Sequence, residues 1–108
     1  PYDELIYVAN RDTMDKDMIA RFLAATEKAT QYIVNHPEES WEIFAATSVD
    51  LQDELNARAW KDTLPRFALR PTAMDAGRYA TFETFLHDAG LTPTISPVST
   101  IAIDVTVP

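Results

Sequence analysis

The residues best suited to moving a proton near neutral pH are His36 and His87. They lie far apart in the chain, and neither falls in a His-x-x-x-His spacing that would hold a metal. His36 precedes Pro37 and reads as a helix-junction residue. His87 reads as a last-turn group, where its side chain can meet free helix carbonyls. Glu38 and Glu39 could be paired carboxylates for acid–base work. Adjacent residues on a helix point about 100° apart, however, so these two do not converge on one substrate atom. Directly after a proline they read as first-turn acids that favour the positive end of a helix. No Gly-x-Ser-x-Gly elbow is present to activate a serine. With no Cys in the chain, thiolate nucleophiles, thiolate metal sites and disulfides are excluded within this stretch. Two Gly in 108 residues leave no glycine-rich phosphate loop. These residues call for neither a catalytic constellation nor a cofactor.

The aromatic residues offer a different chemistry, stacking on a planar ligand. Trp41, Trp60, Tyr7, Tyr32 and Tyr79 could serve, but aromatics at helical spacing are core residues more often than ligand contacts. Tyr2 stands apart. It precedes a short apolar run and sits beside Asp3 and Glu4, where a chain enters from a neighbouring lobe, so Tyr2 is a candidate cleft residue.

The charge narrows the partners. There are 17 acidic residues against 9 Lys and Arg, a formal net charge of -8. Such a chain repels phosphate, which argues against nucleic acid and against an anionic membrane surface. No apolar run approaches the roughly 20 residues of a membrane-spanning helix. The length suits one domain or one lobe of a larger protein. The chain opens on Pro1 rather than Met, from which processing or truncation is expected.

The elements that must position these residues follow from periodicity. Leu5–Ala9 is rich in strand formers and reads as a buried strand, and Asn10–Thr13 as the turn that follows. From about Asp15 to Val34 the residues Met18, Phe22, Ala25, Ala29 and Ile33 recur at helical steps. Asp15 is the expected N-cap, and Phe22 is expected near the centre of the buried face. Pro37 ends that helix and starts a short one carrying Trp41, Phe44 and Ala45. Asp50 is the candidate cap of a third helix over about Leu51–Leu64. Thr72 opens a fourth, with Asp75 three residues on, and Tyr79, Phe82, Leu86 and Ala89 form its stripe. Gly90-Leu91 is the signature of a left-handed helix stop. Ile101–Val107 alternates like a half-buried strand. The expected fold class is thus α/β: predominantly helical, about four helices, with a strand at each end, over a single unit spanning residues 1–108.

Three stretches resemble a known family. The string Tyr2-Asp3-Glu4-Leu5-Ile6-Tyr7-Val8-Ala9-Asn10, followed by a capped helix with Arg21-Phe22-Leu23, looks like the closing third of a type II solute-binding protein. Asn35-His36-Pro37-Glu38-Glu39-Ser40 resembles the Asn-Pro-Glu-Glu-Ala helix break found there. The run from Trp60 to Leu91, ending in Ala-Gly-Leu, fits as well. The likeness is nearest to proteins that bind hydroxymethylpyrimidine-type thiamine precursors, related in fold to the yeast thiamine-pyrimidine synthase. That resemblance implies a two-lobed periplasmic protein with an aminopyrimidine-like ligand between its lobes and a membrane ABC permease as partner. This chain would be the C-terminal part of one lobe. Tyr2 and Asp3 at the hinge would be its ligand-facing residues, with no catalytic residue, metal or cofactor.

Two other readings are open on the residues alone. One is an enzyme of the pyrimidine synthase branch, whose Cys-rich segment and reactive His would lie elsewhere. The other is a small helical interaction domain acting alone. If the chain is part of a lobe, its isolated form exposes faces normally covered and is expected to self-associate.

Overall fold

A computed structural model of the chain describes residue 3 and residues 5–105. Among the described residues five helices follow in order: α1 (Lys16–Asn35), α2 (Pro37–Ala45), α3 (Glu54–Thr63), α4 (Ala76–Asp88) and the single-turn α5 (Val98–Ile101). Two 3-10 turns, Val49–Leu51 and Leu64–Arg66, flank α3. The chain divides into two compact units. One joins Pro1–Arg21 with Thr72–Pro108, and the other is Phe22–Pro71.

Among the described residues there is no strand, which corrects the α/β expectation. A strand is stable only when its backbone finds a ladder partner. Among the described residues Leu5–Ala9 is not assigned to a strand. Leu5 takes φ 53°, a left-handed conformation that breaks an extended run. The side chains stand open, with Leu5 101% and Val8 85% exposed. At the other end, Val98–Ile101 coils into α5, with Ala102 N–H donating to the Val98 carbonyl at 2.9 Å. Local helical bonding therefore takes Ile101 out of the expected strand. Residues 106 and 107 of that strand lie outside the described residues.

The helix ends show why the chain folds locally as it does. Asp15 caps α1 as expected, its Oδ1 accepting the Met18 N–H at 3.0 Å. The buried residue of α1 is Leu23, 8% exposed, whereas Phe22 is 52% exposed and does not sit at the centre of a buried face. Pro37 opens α2 with Glu38 and Glu39 in its first turn. The third helix starts later than expected. Ser48 caps the turn containing Asp50, and Asp53 caps α3, accepting from Asn56 N at 2.7 Å. The fourth helix also starts later, because Asp75 rather than Thr72 is the cap. Its Oδ1 takes Gly77 N at 2.9 Å and Arg78 N at 3.2 Å.

The stop after α4 is as expected. Gly90 has φ 72°, Gly90 N donates to His87 O, and Leu91 N donates to Leu86 O, both at 2.9 Å. That pair of bonds closes a Schellman motif, in which a side chain at the left-handed position would be strained.

Candidate functional site

The Phe22–Pro71 unit carries an aromatic cluster. The Trp41 and Trp60 ring centroids lie 5.8 Å apart, and Phe44 stacks on Trp60 at 5.4 Å. Trp60 Nε1 donates to the Pro37 carbonyl at 3.3 Å, so α3 is tied to the start of α2. Gln52 Nε2 donates to the Ala45 carbonyl at 3.1 Å, supplying a partner to a backbone acceptor at the end of α2. Ala45 and Ser40 are buried on α2, and Ser40 Oγ has no hydrogen-bond partner among the described residues. Trp41 and Trp60 pack on each other and join α2 to α3. Beside them runs an open groove of about 470 Å³, lined by Trp41, Glu42, Ala45, Gln52, Glu54 and Ala57 among others. Its walls do not enclose a small molecule as a ligand cleft does.

At the α1–α2 junction of the same unit, Tyr32 and His36 stack with centroids 4.4 Å apart. Tyr32 Oη donates to Glu39 Oε2 at 2.7 Å, and His36 Nδ1 lies 3.9 Å from the same oxygen. The Glu39 hydrogen bond, reinforced by desolvation and by the Glu39 charge, pushes the Tyr32 phenol above its ordinary value. His36 is thus a junction residue, as the sequence suggested. Glu39 is committed to Tyr32 and not to a pairing with Glu38.

The other unit holds the one described residue of the expected ligand pair. Tyr2 lies outside the described residues. The Asp3 Oδ1 receives Arg78 Nη2 at 2.8 Å, with the two side chains 41% and 43% exposed. Arg78 comes from the first turn of α4, where the Asp75 cap holds its backbone N–H. Further polar links work in the same unit. Arg11 Nη2 donates to the Thr100 carbonyl at 2.7 Å, next to that of Ser99 at 3.4 Å. Glu83 Oε2 accepts the Ser96 N–H at 2.8 Å. His87 stands near Asp88, with Nδ1 and Oδ1 3.4 Å apart, on the last turn of α4. Sequence reading passed over Arg78 and Arg11. Isolated cations in a chain rich in carboxylates carry no spacing signal, and their partners lie more than seventy positions away.

Among the described residues no group of three or more His, Asp or Glu could hold a metal ion. No described helix is long and apolar enough to cross a membrane.

Two comparisons with known proteins match the sequence of this chain. Residues 1–40 match the family model described as NMT1/THI5 like. That span contains both the Tyr2–Asn10 and Asn35–Ser40 stretches on which the resemblance was recognised. The chain is also 39% identical, over 105 residues, to a Haemophilus influenzae protein provisionally named a thiamine biosynthesis protein. The alignment covers 96% of this chain and 33% of that relative, so the chain spans about a third of the length of the curated relative it matches. No solved structure matches the chain. The recognised likeness to the thiamine-pyrimidine-precursor proteins is borne out by both sequence matches.

Proposed function

We propose that this chain is the C-terminal part of one lobe of a two-lobed, type II binding protein. The whole protein would hold a thiamine pyrimidine precursor, or a similar small heterocycle, between its lobes. The observation that carries this reading is the pair of sequence matches: the family model over residues 1–40, and 39% identity along nearly the whole chain to a protein named for thiamine biosynthesis. The surface supports it. Among the described residues Leu23 and Ala45, each 8% exposed, are the buried apolar ones, while large apolar side chains stand open in both units, among them Ile6, Val8, Ile43, Leu55, Phe85 and Leu91. A lobe separated from the sheet and helices that cover it would present such faces. On this reading the isolated chain self-associates.

The mechanism is recognition and delivery. Closure of two lobes about a hinge buries the ligand, and the closed form is presented to a membrane ABC permease in the periplasm. Such a role needs no catalytic residue and no nucleic acid, and the net charge of -8 suits neither phosphate nor anionic lipid.

Calorimetric titration of the full-length protein with hydroxymethyl-aminopyrimidine tests the reading, with thiamine and uracil as controls. Selective binding, together with a periplasmic band on fractionation of cells, is the expected result. Absence of pyrimidine binding, or a cytosolic band, overturns it.

The relative's name favours a second reading, a biosynthetic enzyme of the pyrimidine synthase branch. Its test is turnover: iron-dependent conversion of a substrate by the full-length protein would replace transport with catalysis.

A further inference from the structure

We propose that the groove between α2 and α3 is a docking site for a cationic amphipathic helix of a partner protein. The inference does not depend on the pyrimidine reading, and the surface lies wholly within the Phe22–Pro71 unit.

Two helix ends build the groove. The second half of α2 and its cap supply Trp41, Glu42, Ala45 and Ala46, and the start of α3 supplies Glu54 and Ala57. Its walls are tied together by the Gln52 bond to the Ala45 carbonyl at 3.1 Å and the Trp60 bond to the Pro37 carbonyl at 3.3 Å. Walls fixed before binding spare the cost of ordering them. Three alanines leave about 470 Å³ between these walls. A space of this size, open along its length, suits the side-chain ridge of a helix better than an enclosed small molecule.

The rim is acidic. Glu42, Asp53 and Glu54 line it, with no Lys or Arg among the described lining residues. Asp53 Oδ1 is occupied by Asn56 N and Nδ2, at 2.7 and 2.9 Å. The carboxylates of Glu42 and Glu54 meet no cation or donor among the described residues. Glu54 has a local reason for its place, the first turn of α3, where an acid favours the helix dipole. Glu42 has none. It stands in the last turn of α2, where the dipole favours a cation, and that turn carries no basic residue. An acid set against the dipole and left unpaired is a local conflict of the kind found at functional positions.

These features select the occupant. Phosphate and anionic lipid are repelled. The apolar floor and acidic rim are complemented by a helix with a narrow apolar strip flanked by Lys or Arg, laid in through anchors at i, i+3 and i+4. Trp41 favours arginine, because an indole is the strongest aromatic partner of a cation.

The test is fluorescence anisotropy of the full-length protein with a labelled amphipathic helix of Leu, Ala and Arg, and with its analogue carrying Glu for Arg. Circular dichroism and melting temperature check that each variant folds. Wild-type protein should bind the Arg helix, less tightly as salt rises, and not the Glu analogue. Glu42→Gln/Glu54→Gln should weaken binding about five- to tenfold. Ala57→Leu, which fills the groove without changing charge, should weaken it about tenfold or more. Asp12→Asn/Asp62→Asn, which removes as much charge outside the groove, should bind as wild type does. Equal weakening by the two double variants would assign binding to net charge and overturn the site. No binding of the Arg helix by wild type overturns it as well, whatever the pyrimidine titration shows. If sedimentation reveals a dimer that Ala57→Leu dissolves, the occupant is a second copy and the partner helix is overturned.

Discussion

The Phe22–Pro71 unit and the unit joining the chain's two ends are held by different forces. In the first, α2 and α3 are pressed together by Trp41, Phe44 and Trp60, with ring centroids 5.4 to 6.3 Å apart. The partners are near in sequence, so closing the loops between them costs little chain entropy. In the second, polar contacts join side chains to distant parts of the chain: Arg11 to the Ser99 and Thr100 carbonyls, Arg78 to Asp3, Glu83 to Ser96 N. The stacked Phe82 and Phe85 are neighbours on α4 itself, and Phe85 is 60% exposed. A region closed by aromatic burial carries its own stability. The exposed links of Arg11 to Thr100 O and of Arg78 to Asp3 add less stability to their unit than ring burial does to the other.

The largest effect should come from Trp60→Ala. It deletes the ring shared by Trp41 and Phe44 and the bond to Pro37 O. Full burial of such a ring is typically worth about 3–5 kcal/mol, and partial burial brings the expected loss to roughly 2–3 kcal/mol. Hydrogen exchange should show α2 and α3 losing protection while α4 keeps its own. Equal loss in α4 would mean that the two regions melt as one.

Arg11→Ala probes the polar side of the contrast. Removing its bond to Thr100 O should cost about 0.5–1.5 kcal/mol. Limited proteolysis around residues 10–14 and 98–104 should speed up, with no change at α2. A variant as resistant as wild type would show that the link carries none of the closure.

Ser40→Ala should go the other way. The Ser40 hydroxyl is buried at 5% exposure with no hydrogen-bond partner, and alanine stands at the matching place of the helix break it resembles. Removing an unsatisfied buried hydroxyl is expected to stabilise by about 1 kcal/mol, read as a higher melting temperature. A lower one would reveal a partner for the hydroxyl in solution.

The smallest effect belongs to Tyr32→Phe. A phenol whose folded pKa is raised above its ordinary 10.0 adds stability below that value, and the contribution is lost as pH rises through the folded pKa. Wild-type protein should therefore lose melting temperature above pH 10 more steeply than Tyr32→Phe. Ultraviolet titration of Glu39→Ala should show one phenol ionising at lower pH than in wild type. Parallel alkaline melting curves for the two proteins would remove the Tyr32–Glu39 bond from the account.

Much of the local structure was legible because its causes are local. Asp15 as a cap, Pro37 as a helix start and Gly90 as a left-handed stop each depend on residues within one or two turns, and each stands where it was expected. Where two cap candidates lay close together, spacing alone did not choose. Asp53 displaced Asp50 because a 3-10 turn absorbs Val49–Leu51, and Asp75 displaced Thr72 because its carboxylate reaches two first-turn N–H groups. Phe22 was expected at the centre of a buried face from periodicity. Periodicity finds the apolar stripe but not the part of it that another element covers, and Leu23 is the residue buried.

What the sequence by itself determined is the helical skeleton, the acidic and cysteine-free chemistry, and the kinship written in Tyr2–Asn10 and Asn35–Ser40. The tertiary structure decided the rest. Leu5–Ala9 and Ile101–Val105 have strand-forming side chains, yet a strand exists only when a second backbone completes its ladder, and none does among the described residues. The meeting of Asp3 with Arg78, and of Arg11 with α5, likewise has no signature in spacing. Such contacts are made by the path of the whole chain, because a charge carries no directional preference until the fold puts its partner within reach.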